Sequence, residues 1–301
     1  MEPLVSVVVP IFNRSELLSD IIRTISEQTY KEFEVIIVDD GSVPPVELEP
    51  LYNTNFEYTL LRLDSNHGAG YARRKGREIA KGDYICYLDS DDWWSNNFIE
   101  LCVLRLKSDE ELGMVYTNTI RYKDGAPVSE RVQAFNAESI LPYLFNAKKR
   151  IWSTPSCMWR REVSLPQNWY AFRNYEDYLH DILASIQNNK IAFVKGALTY
   201  NNHSANNRTN RNNAEVAKAI NTIIKLDQLP IYKGILYFVM DKLYEFNVRV
   251  RFNCFWYYFR LPFKLNRLKY SQYTYYYILL FLIGLFGIKS YKVKNLIEKL
   301  K

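Results

Sequence analysis

Cysteine, histidine and long apolar runs are all scarce in this sequence of 301 residues. The four cysteines are scattered and form no C-x-x-C pair, which argues against a disulfide framework or a structural zinc site. The beginning of the chain has neither the basic segment nor the apolar stretch of a secretory signal, so we expect none. A 19-residue uncharged stretch, residues 270–288, contains several polar side chains and is marginal for a membrane span.

Two signatures of phosphate-binding loops are missing as well. The glycine turn of "SNHGAGYARRKG" has Arg73 where G-x-G-x-x-G requires its third glycine, and no G-x-x-x-x-G-K-[ST] segment occurs. The sequence therefore lacks the main support for a dinucleotide-dependent dehydrogenase or a P-loop nucleotidase.

Charge is distributed unevenly along the chain. The net charge is +6, but residues 231–301 contain 13 Lys and Arg against 3 Asp and Glu, together with 20 of the 46 aromatic residues. The preceding 230 residues contain 26 basic and 30 acidic side chains. An acidic body followed by a basic, aromatic tail suggests two functions in two places.

Apolar, β-branched runs alternate with segments of helical periodicity in the first part of the chain. We predict strands at residues 4–9, 33–38, 58–63, 84–88 and 114–117. Helices are expected at residues 17–25, 71–80 and 96–106, and another from about Glu176. This alternation predicts βαβ units, and hence an α/β fold with a mostly parallel sheet.

Polar residues follow several of these strands, at the sheet edge where such folds bind ligands. Asp89 and Asp91 follow the strand at residues 84–88, and alternate residues of an extended segment point the same way. Carboxylates at this spacing suit Mg²⁺ or Mn²⁺, which leave coordination positions for phosphate oxygens. A solvated acidic turn explains the pattern equally well.

Two further segments have ligand-binding character. Asp40 follows the strand at residues 33–38 and could accept hydrogen bonds from a base or a ribose, although an ordinary Asp-Gly turn is the simpler interpretation. Gly68 and Gly70 lead into a helix whose first turns contain Arg73 and Arg74, and glycines allow a backbone to approach a ligand closely.

Four segments, "VSVVVPIFNR", "FEVIIVDDGS", "NHGAGYARRKG" and "GDYICYLDSDDWW", resemble in order and spacing the motifs of the family 2 glycosyltransferases. The resemblance covers about residues 4–205. It implies a GT-A fold, an α/β architecture with a Rossmann-like, mostly parallel central sheet flanked by helices. We expect this catalytic domain at residues 1–213 and an α-helical extension at residues 214–301.

The same resemblance implies a set of nucleotide-sugar contacts. Pro10 and Phe12 would border the base, Asp40 would bond it, Arg73 would lie near the base or phosphates, and Asp89 near the ribose. Asp91 would hold a Mn²⁺ or Mg²⁺ ion on the diphosphate, and His203 falls where many members of the family place a metal-reaching histidine. Arg74 departs from the family pattern, which usually has Asn at this position.

Glu176-Asp177 matches the family's Glu-Asp motif, with Asp177 as the catalytic base. Glu176 and Trp152 would lie on the acceptor side, where Trp152 could stack on a sugar face. Alternatively, both acids could simply favour a helix N-terminus. We interpret Asp109 and Asp181 as surface residues.

The resemblance implies a metal-dependent inverting glycosyltransferase of hexosyltransferase type. Its expected donor is a UDP-sugar, and its expected acceptor is a glycan or lipid-linked glycan used for surface polysaccharide. Two alternatives remain: a polyprenyl-phosphate glycosyltransferase, which needs no base, and a non-catalytic nucleotide-sugar-binding protein.

The basic, aromatic tail predicts contact with a membrane surface, with Lys269 and Lys289 flanking the uncharged stretch. We therefore expect a cytoplasmic protein, peripheral on the inner face of the cell membrane. The alternative is a helical subdomain packed on the catalytic body. Nucleic acid is not an expected partner, because the basic residues lie among bulky apolar ones without a recognisable nucleic-acid motif.

Overall fold

The structure of the protein is a computed structural model. It describes residues 2–47, 54–123, 126–130, 137–141, 143–146, 150–202, 218, 219 and 222. Nearly all of these belong to one compact unit, residues 1–144 and 149–210. The predicted boundary at residues 213/214, His203 and the basic tail lie outside the described residues.

The unit is built on a twisted sheet with helices between its strands. The strands are β1 (Val5–Ile11), β2 (Phe33–Asp39), β3 (Glu57–Arg62), β4 (Tyr84–Tyr87), β5 (Asp92–Trp94), β6 (Met114–Lys123), β7 (Ala126–Glu130), β8 (Cys157–Arg160) and β9 (Ile191–Asn202). The helices are α1 (Leu18–Ser26), α2 (Ala69–Ile79), α3 (Phe98–Lys107), α4 (Tyr143–Asn146) and α5 (Glu176–Gln187). The sheet order is β3-β2-β1-β4-β8-β6-β9-β5, with β7 paired to β6.

The first four strands form the parallel half of the sheet. β1 lies between β2 and β4, and β2 pairs with β3, all in parallel register. Parallel strands place their carboxyl ends at one edge, so Ile11, Asp39 and Leu88 reach the same edge of the sheet. The predicted α/β fold with a mostly parallel sheet is confirmed.

The second half of the sheet contains antiparallel pairs that the sequence did not predict. β8 is antiparallel to both β4 and β6, and β5 is antiparallel to β9. β5 is only three residues long and begins at Asp92, so the acidic segment after β4 returns directly into the sheet. This short strand fixes the direction of the chain just beyond Asp89 and Asp91.

The core lies on both faces of β1, whose seven residues are all buried. Leu18, Ile21 and Ile25 of α1 lie one helical turn apart and pack into it, as their spacing predicts. Cys86, Cys102 and Cys157 are free thiols within this core, and burial raises the pKa of each of them. Burial of the apolar side chains of this core is the main source of stability, because it contributes roughly 25 cal/mol per Å² of apolar surface removed from water.

Within the described residues, no helix is both long enough and apolar enough to cross a bilayer.

Candidate active site

Three carboxylates follow β4, and each of them has its own partner in the protein. Asp89 accepts a hydrogen bond from Nη2 of Arg73 at 2.5 Å, and Asp91 accepts one from Nη1 of Arg14 at 2.8 Å. Asp92 accepts from Nδ2 of Asn201 and from the backbone N–H of Asn202, both on β9. The protein's own donors therefore offset part of the charge repulsion at this strand end.

The electrostatics of the segment favour a further cation. Burial and the neighbouring Asp89 raise the pKa of Asp91, against the opposing effect of Arg14. Burial, followed by Asp89 and Asp91, raises the pKa of Asp92 well above its ordinary value. Opposite charge stabilises crowded carboxylates in their ionised form, so a divalent cation would relieve the repulsion that remains here.

Arg73 connects the acidic segment to α5. Its side chain is 5% exposed, with Nη1 lying 3.5 Å from Oε1 of Glu176, and its guanidinium stacks on the Trp169 ring at 4.9 Å. Nε of Arg73 has no hydrogen-bond partner in the part of the chain that the structure describes. Arg73, Asp89 and Glu176, from three separate elements, thus form one contiguous group.

Glu176 lies in the first turn of α5, beside Arg73. Burial, and secondarily the adjacent Asp177, raises the pKa of Glu176 to about 7. Glu176 therefore groups with the predicted donor residues Arg73 and Asp89. The acceptor-side role expected for Glu176 stays a prediction.

Asp40 organises the glycine turn ahead of α2. Its carboxylate accepts from Nδ2 of Asn66 at 3.0 Å and from the backbone N–H groups of His67 and Gly68 at 2.9 and 2.8 Å. A carboxylate has about four acceptor sites, so these three donors leave roughly one of them unused. Burial raises the pKa of Asp40 despite the two backbone donors.

Glycine is required at two positions around this turn. Gly41 has a φ of +76°, and a Cβ there would lie 2.6 Å from the backbone carbon of Ser65. A Cβ on Gly70 would collide with the carbonyl oxygen of Tyr170. The reason for Gly70 is therefore close packing of α2 against another loop, whereas the sequence suggested close approach to a ligand.

The remaining predicted donor residues differ in exposure. Pro10 is buried within β1, whereas Phe12, just beyond the end of this strand, is 39% exposed. Arg74 lies on the outer face of α2, where its Nε donates to Glu78 at 3.0 Å. Arg74 thus forms a surface ion pair with Glu78, whereas the adjacent Arg73 contacts Asp89 and Glu176.

Asp177, the predicted base, occupies the second position of α5 with 29% of its side chain exposed. Its Oδ2 accepts from Nη1 of Arg150 at 3.0 Å, and its Oδ1 accepts from the backbone N–H of Tyr178 at 2.9 Å. The carboxylate is therefore held by two donors and still reaches solvent.

Two predictions about the neighbourhood of Asp177 are wrong. Asp181, expected at the surface, is fully buried and forms a bidentate pair with Arg150. Trp152, expected to offer a face to a sugar, is 3% exposed, and its Nε1 donates to Asp181 at 2.7 Å. Asp109 does lie near the surface, paired with Lys190, and Trp159 packs in the core.

The described residues contain no group of three or more His, Cys, Asp or Glu side chains placed to hold a metal ion. Asp89 and Asp91 supply hard oxygen ligands, which Mg²⁺ and Mn²⁺ accept in small number when phosphate oxygens complete the shell. The donor set therefore fits such an ion bound together with a diphosphate. His203, the other predicted ligand, is among the residues that the structure leaves undescribed.

Sequence reasoning missed three charged or polar contributors to this region. Arg14 lies three residues beyond β1, at the end of the segment "VSVVVPIFNR". Its position at the sheet edge where acidic residues were expected could have indicated an ion pair. Asp177 and Asp181 are four residues apart and share a helix face, which allows one cation to contact both. Nothing in the sequence identified Arg150 as that cation or Asp181 as buried.

The chain is similar to proteins of known family and known fold. The family model described as "Glycosyl transferase family 2" matches residues 6–162, just over half of the chain. An amylovoran biosynthesis glycosyltransferase, AmsB of Erwinia amylovora, is 29% identical over 58% of this chain and 61% of its own length. A cholesterol galactosyltransferase of Borreliella burgdorferi is 33% identical over 35% of this chain and 30% of its own length.

The chain thus matches between about a third and three fifths of these curated relatives. Among solved structures, S. aureus TarS residues 1–349 in complex with UDP-GlcNAc is similar, with a TM-score of 0.65 at 17% identity. That match covers 93% of this chain and 81% of the TarS chain. At this level of identity the likeness establishes the fold.

Proposed function

Because the chain belongs to the glycosyl transferase family 2, we propose that it transfers one monosaccharide from a nucleotide-diphosphate sugar to an acceptor hydroxyl, with inversion at the anomeric carbon. The observation that carries the proposal is the contact of Arg73 with both Asp89 and Glu176. This contact brings the first turn of α5, where Asp177 lies, next to the carboxylates at the end of β4.

Asp177 takes the proton of the acceptor hydroxyl while the acceptor oxygen bonds to the anomeric carbon. The bond between that carbon and the diphosphate oxygen breaks, and the nucleotide diphosphate leaves with the electron pair. A carboxylate is a sufficient base, since the hydroxyl loses its proton late in such a displacement.

The chain's own residues bind and orient the donor. Phe12 offers an exposed ring beside the end of β1, and Asp40 offers its remaining acceptor site to the base. Arg73 has a buried Nε without a partner among the described residues, and a phosphate or ribose oxygen would satisfy it. A Mn²⁺ or Mg²⁺ ion held by Asp91, and by His203 in the undescribed segment, would stabilise charge on the diphosphate.

We further propose a UDP-sugar as donor and a glycan or lipid-linked glycan in polysaccharide synthesis as acceptor. The UDP-GlcNAc bound by TarS supports the first choice, and the amylovoran biosynthesis named for AmsB supports the second. The galactosyltransferase that acts on cholesterol is in keeping with a lipid-borne acceptor. The basic tail would hold the protein at the inner face of the membrane.

Donor hydrolysis tests the proposal without knowledge of the acceptor. We expect one of UDP-glucose, UDP-galactose, UDP-N-acetylglucosamine or GDP-mannose to be hydrolysed slowly in the presence of Mn²⁺, with release of the nucleoside diphosphate. Asp177→Asn should keep UDP affinity while lowering turnover by about 10²–10⁴, the usual contribution of a general base. Absence of both UDP binding and hydrolysis would refute the proposal, and full activity of the variant would favour a lipid-phosphate acceptor, which needs no base.

A further inference from the structure

We infer that Arg150 is a positioning residue that orients the carboxylate of Asp177 for proton transfer, and that Asp181 anchors Arg150 for this purpose. The inference rests on the proposed function, because it assigns a supporting role to residues behind the proposed base. It starts from the fact that one buried guanidinium contacts two carboxylates on the same helix.

The Arg150 guanidinium is held on two sides by fixed acceptors. Nε donates to Oδ2 of Asp181 at 2.7 Å and Nη2 donates to Oδ1 at 3.1 Å, which is the bidentate geometry that fixes a guanidinium plane. Nη1 then points at Oδ2 of Asp177 at 3.0 Å and also donates to Oγ1 of Thr154 at 3.2 Å. With its plane fixed, Arg150 presents Nη1 to Asp177 in one direction only.

Asp181 is itself held rigidly. It is fully buried, and besides the bidentate pair it accepts from Nε1 of Trp152 at 2.7 Å and contacts Nδ1 of His180 at 3.3 Å. Arg150 lowers the pKa of Asp181 below its ordinary value against the effect of burial, and burial lowers the pKa of His180. The charge that balances Asp181 is therefore that of Arg150.

The contacts leave part of Asp177 available for chemistry. Arg150 uses an acceptor site on Oδ2 and the Tyr178 N–H uses one on Oδ1, so about two of the four sites of the carboxylate remain. These remaining sites belong to a side chain that is 29% exposed. A carboxylate fixed in this way presents the same lone pairs to each acceptor, and orientation of a reacting group contributes strongly to rate.

Charge explains why the helix contains a second acid. Arg150 with Asp177 alone would be a neutral pair, in which the guanidinium holds the base. Arg150, Asp177 and Asp181 together have a net charge of −1. Part of that negative charge stays on Asp177, which a base needs in order to accept a proton. Asp181 follows Asp177 by four residues and thus lies on the same face of α5.

Burial argues against a direct role of Arg150 in binding phosphate. Only 7% of its side chain is exposed, and its described partners include the carboxylates of Asp177 and Asp181 and the hydroxyl of Thr154. Arg73 and Arg14 lie beside the acidic segment after β4 and are the arginines placed near a diphosphate. Arg150 therefore acts through Asp177, and its loss should change turnover rather than donor affinity.

The test uses Arg150→Met combined with Asp181→Asn in the full chain, because removing both charges avoids a buried carboxylate without a counter-ion. The sugar nucleotide of the panel above that the wild type hydrolyses fastest serves as substrate, and calorimetry with UDP reports donor binding. We expect kcat to fall about 10- to 100-fold, while KM and the UDP Kd stay within about twofold. In an Asp177→Asn background the same pair of changes should cost no further activity, because positioning acts only through Asp177.

Two variants serve as controls. Arg77→Met removes another buried arginine, one that donates to the carbonyls of Arg161 and Ser164 and makes no contact with Asp177. It should leave kcat within about twofold. Arg150→Lys keeps the positive charge but replaces the planar fork of the guanidinium by a single ammonium group, so it should restore part of the lost rate. If the double variant does not fold, Arg150→Lys alone provides the test, and its kcat should then lie below that of the wild type.

A fall in UDP affinity that parallels the fall in rate would overturn the inference, as would an equal loss of activity in the Asp177→Asn background. Unchanged kcat in a folded double variant would do the same, and so would unchanged kcat in Arg150→Lys if the double variant does not fold. A wild-type protein that neither binds UDP nor hydrolyses any of these donors would instead remove the proposed reaction, and the inference with it.

Discussion

Arg14 and Asp91 form an ion pair at the carboxyl edge of the sheet, with Nη1 2.8 Å from Oδ2 and only 14% of the Asp91 side chain exposed. Asp91 is also the residue expected to hold a divalent cation. A cation that takes this carboxylate must therefore compete with a guanidinium that the protein itself supplies.

Arg14→Gln should tighten the binding of Mn²⁺ to the protein without nucleotide by about three- to tenfold, since a partly buried ion pair of this kind contributes about 1 kcal/mol. Titration followed by the electron paramagnetic resonance of free Mn²⁺ measures this affinity. Arg23→Gln is the matched control, because Arg23 forms an exposed pair with Asp20 on α1. Unchanged or weaker Mn²⁺ binding in Arg14→Gln would show that the pair does not compete with the metal.

Asp91→Asn should keep the fold but lower donor hydrolysis by about two orders of magnitude or more, because the cation would lose an anionic ligand. Nucleoside diphosphate release at saturating Mn²⁺ measures the loss, and circular dichroism checks the fold. Asp109→Asn, which alters a carboxylate paired with Lys190, should be active. Full activity of the wild type in EDTA would contradict metal dependence.

Glu176 should make the stability of the protein depend on pH. Its pKa is raised from 4.5 to about 7, so between these values the folded state holds a proton that the unfolded state has lost. The contribution of Glu176 to stability is then greatest below pH 4.5 and is lost as the pH rises through about 7, a change of about 1–3 kcal/mol.

Thermal unfolding between pH 5 and 8 tests this dependence by comparing the wild type with Glu176→Gln, which mimics the protonated form. The variant should show a smaller fall in Tm with rising pH. Glu78→Gln is the control, because Lys75 and Arg74 lower the pKa of Glu78 against the effect of burial and keep it ionised throughout this range. Equal slopes for the wild type and Glu176→Gln would reject the raised pKa.

The tail should bind anionic membranes through both charge and apolar insertion. Each Lys or Arg near the surface contributes about 1 kcal/mol, screened by salt, whereas insertion of aromatic side chains does not depend on salt. Full-length protein should sediment with anionic vesicles at low salt and be released only partly at high salt. A chain shortened to end near residue 225 should stay in the supernatant, and vesicles of neutral lipid serve as the control. No sedimentation of the full-length protein would favour a tail packed as a helical cap.

The parallel half of the fold and most of the candidate site were predictable because both have strong local signals. β1, β2 and β4 are apolar runs with polar ends, and α5 begins at the acidic pair Glu176-Asp177. β5 and β8 are three and four residues long and antiparallel to their neighbours, so neither has a run or periodicity of its own. Their pairing depends on distant strands, which a local pattern does not report.

The errors concern residues whose role is set by neighbours distant in sequence. Trp152 and Asp181 are buried in contact with each other, and Asp181 also pairs with Arg150; no local pattern marks such a buried polar group. Gly70 was assigned to ligand approach, whereas the carbonyl oxygen of Tyr170 excludes a side chain there. Long-range packing decided each of these three cases.

Cys86, Cys102 and Cys157 should react slowly with thiol reagents, because the reactive form is the thiolate and burial both shields these thiols and raises their pKa. The described part of the protein therefore gives a low background in thiol labelling. Cys254 is the fourth cysteine and lies within the basic, aromatic tail. Maleimide labelling of the folded protein above this low background would therefore be assigned to Cys254, and would allow the tail to be followed by fluorescence in the unaltered sequence.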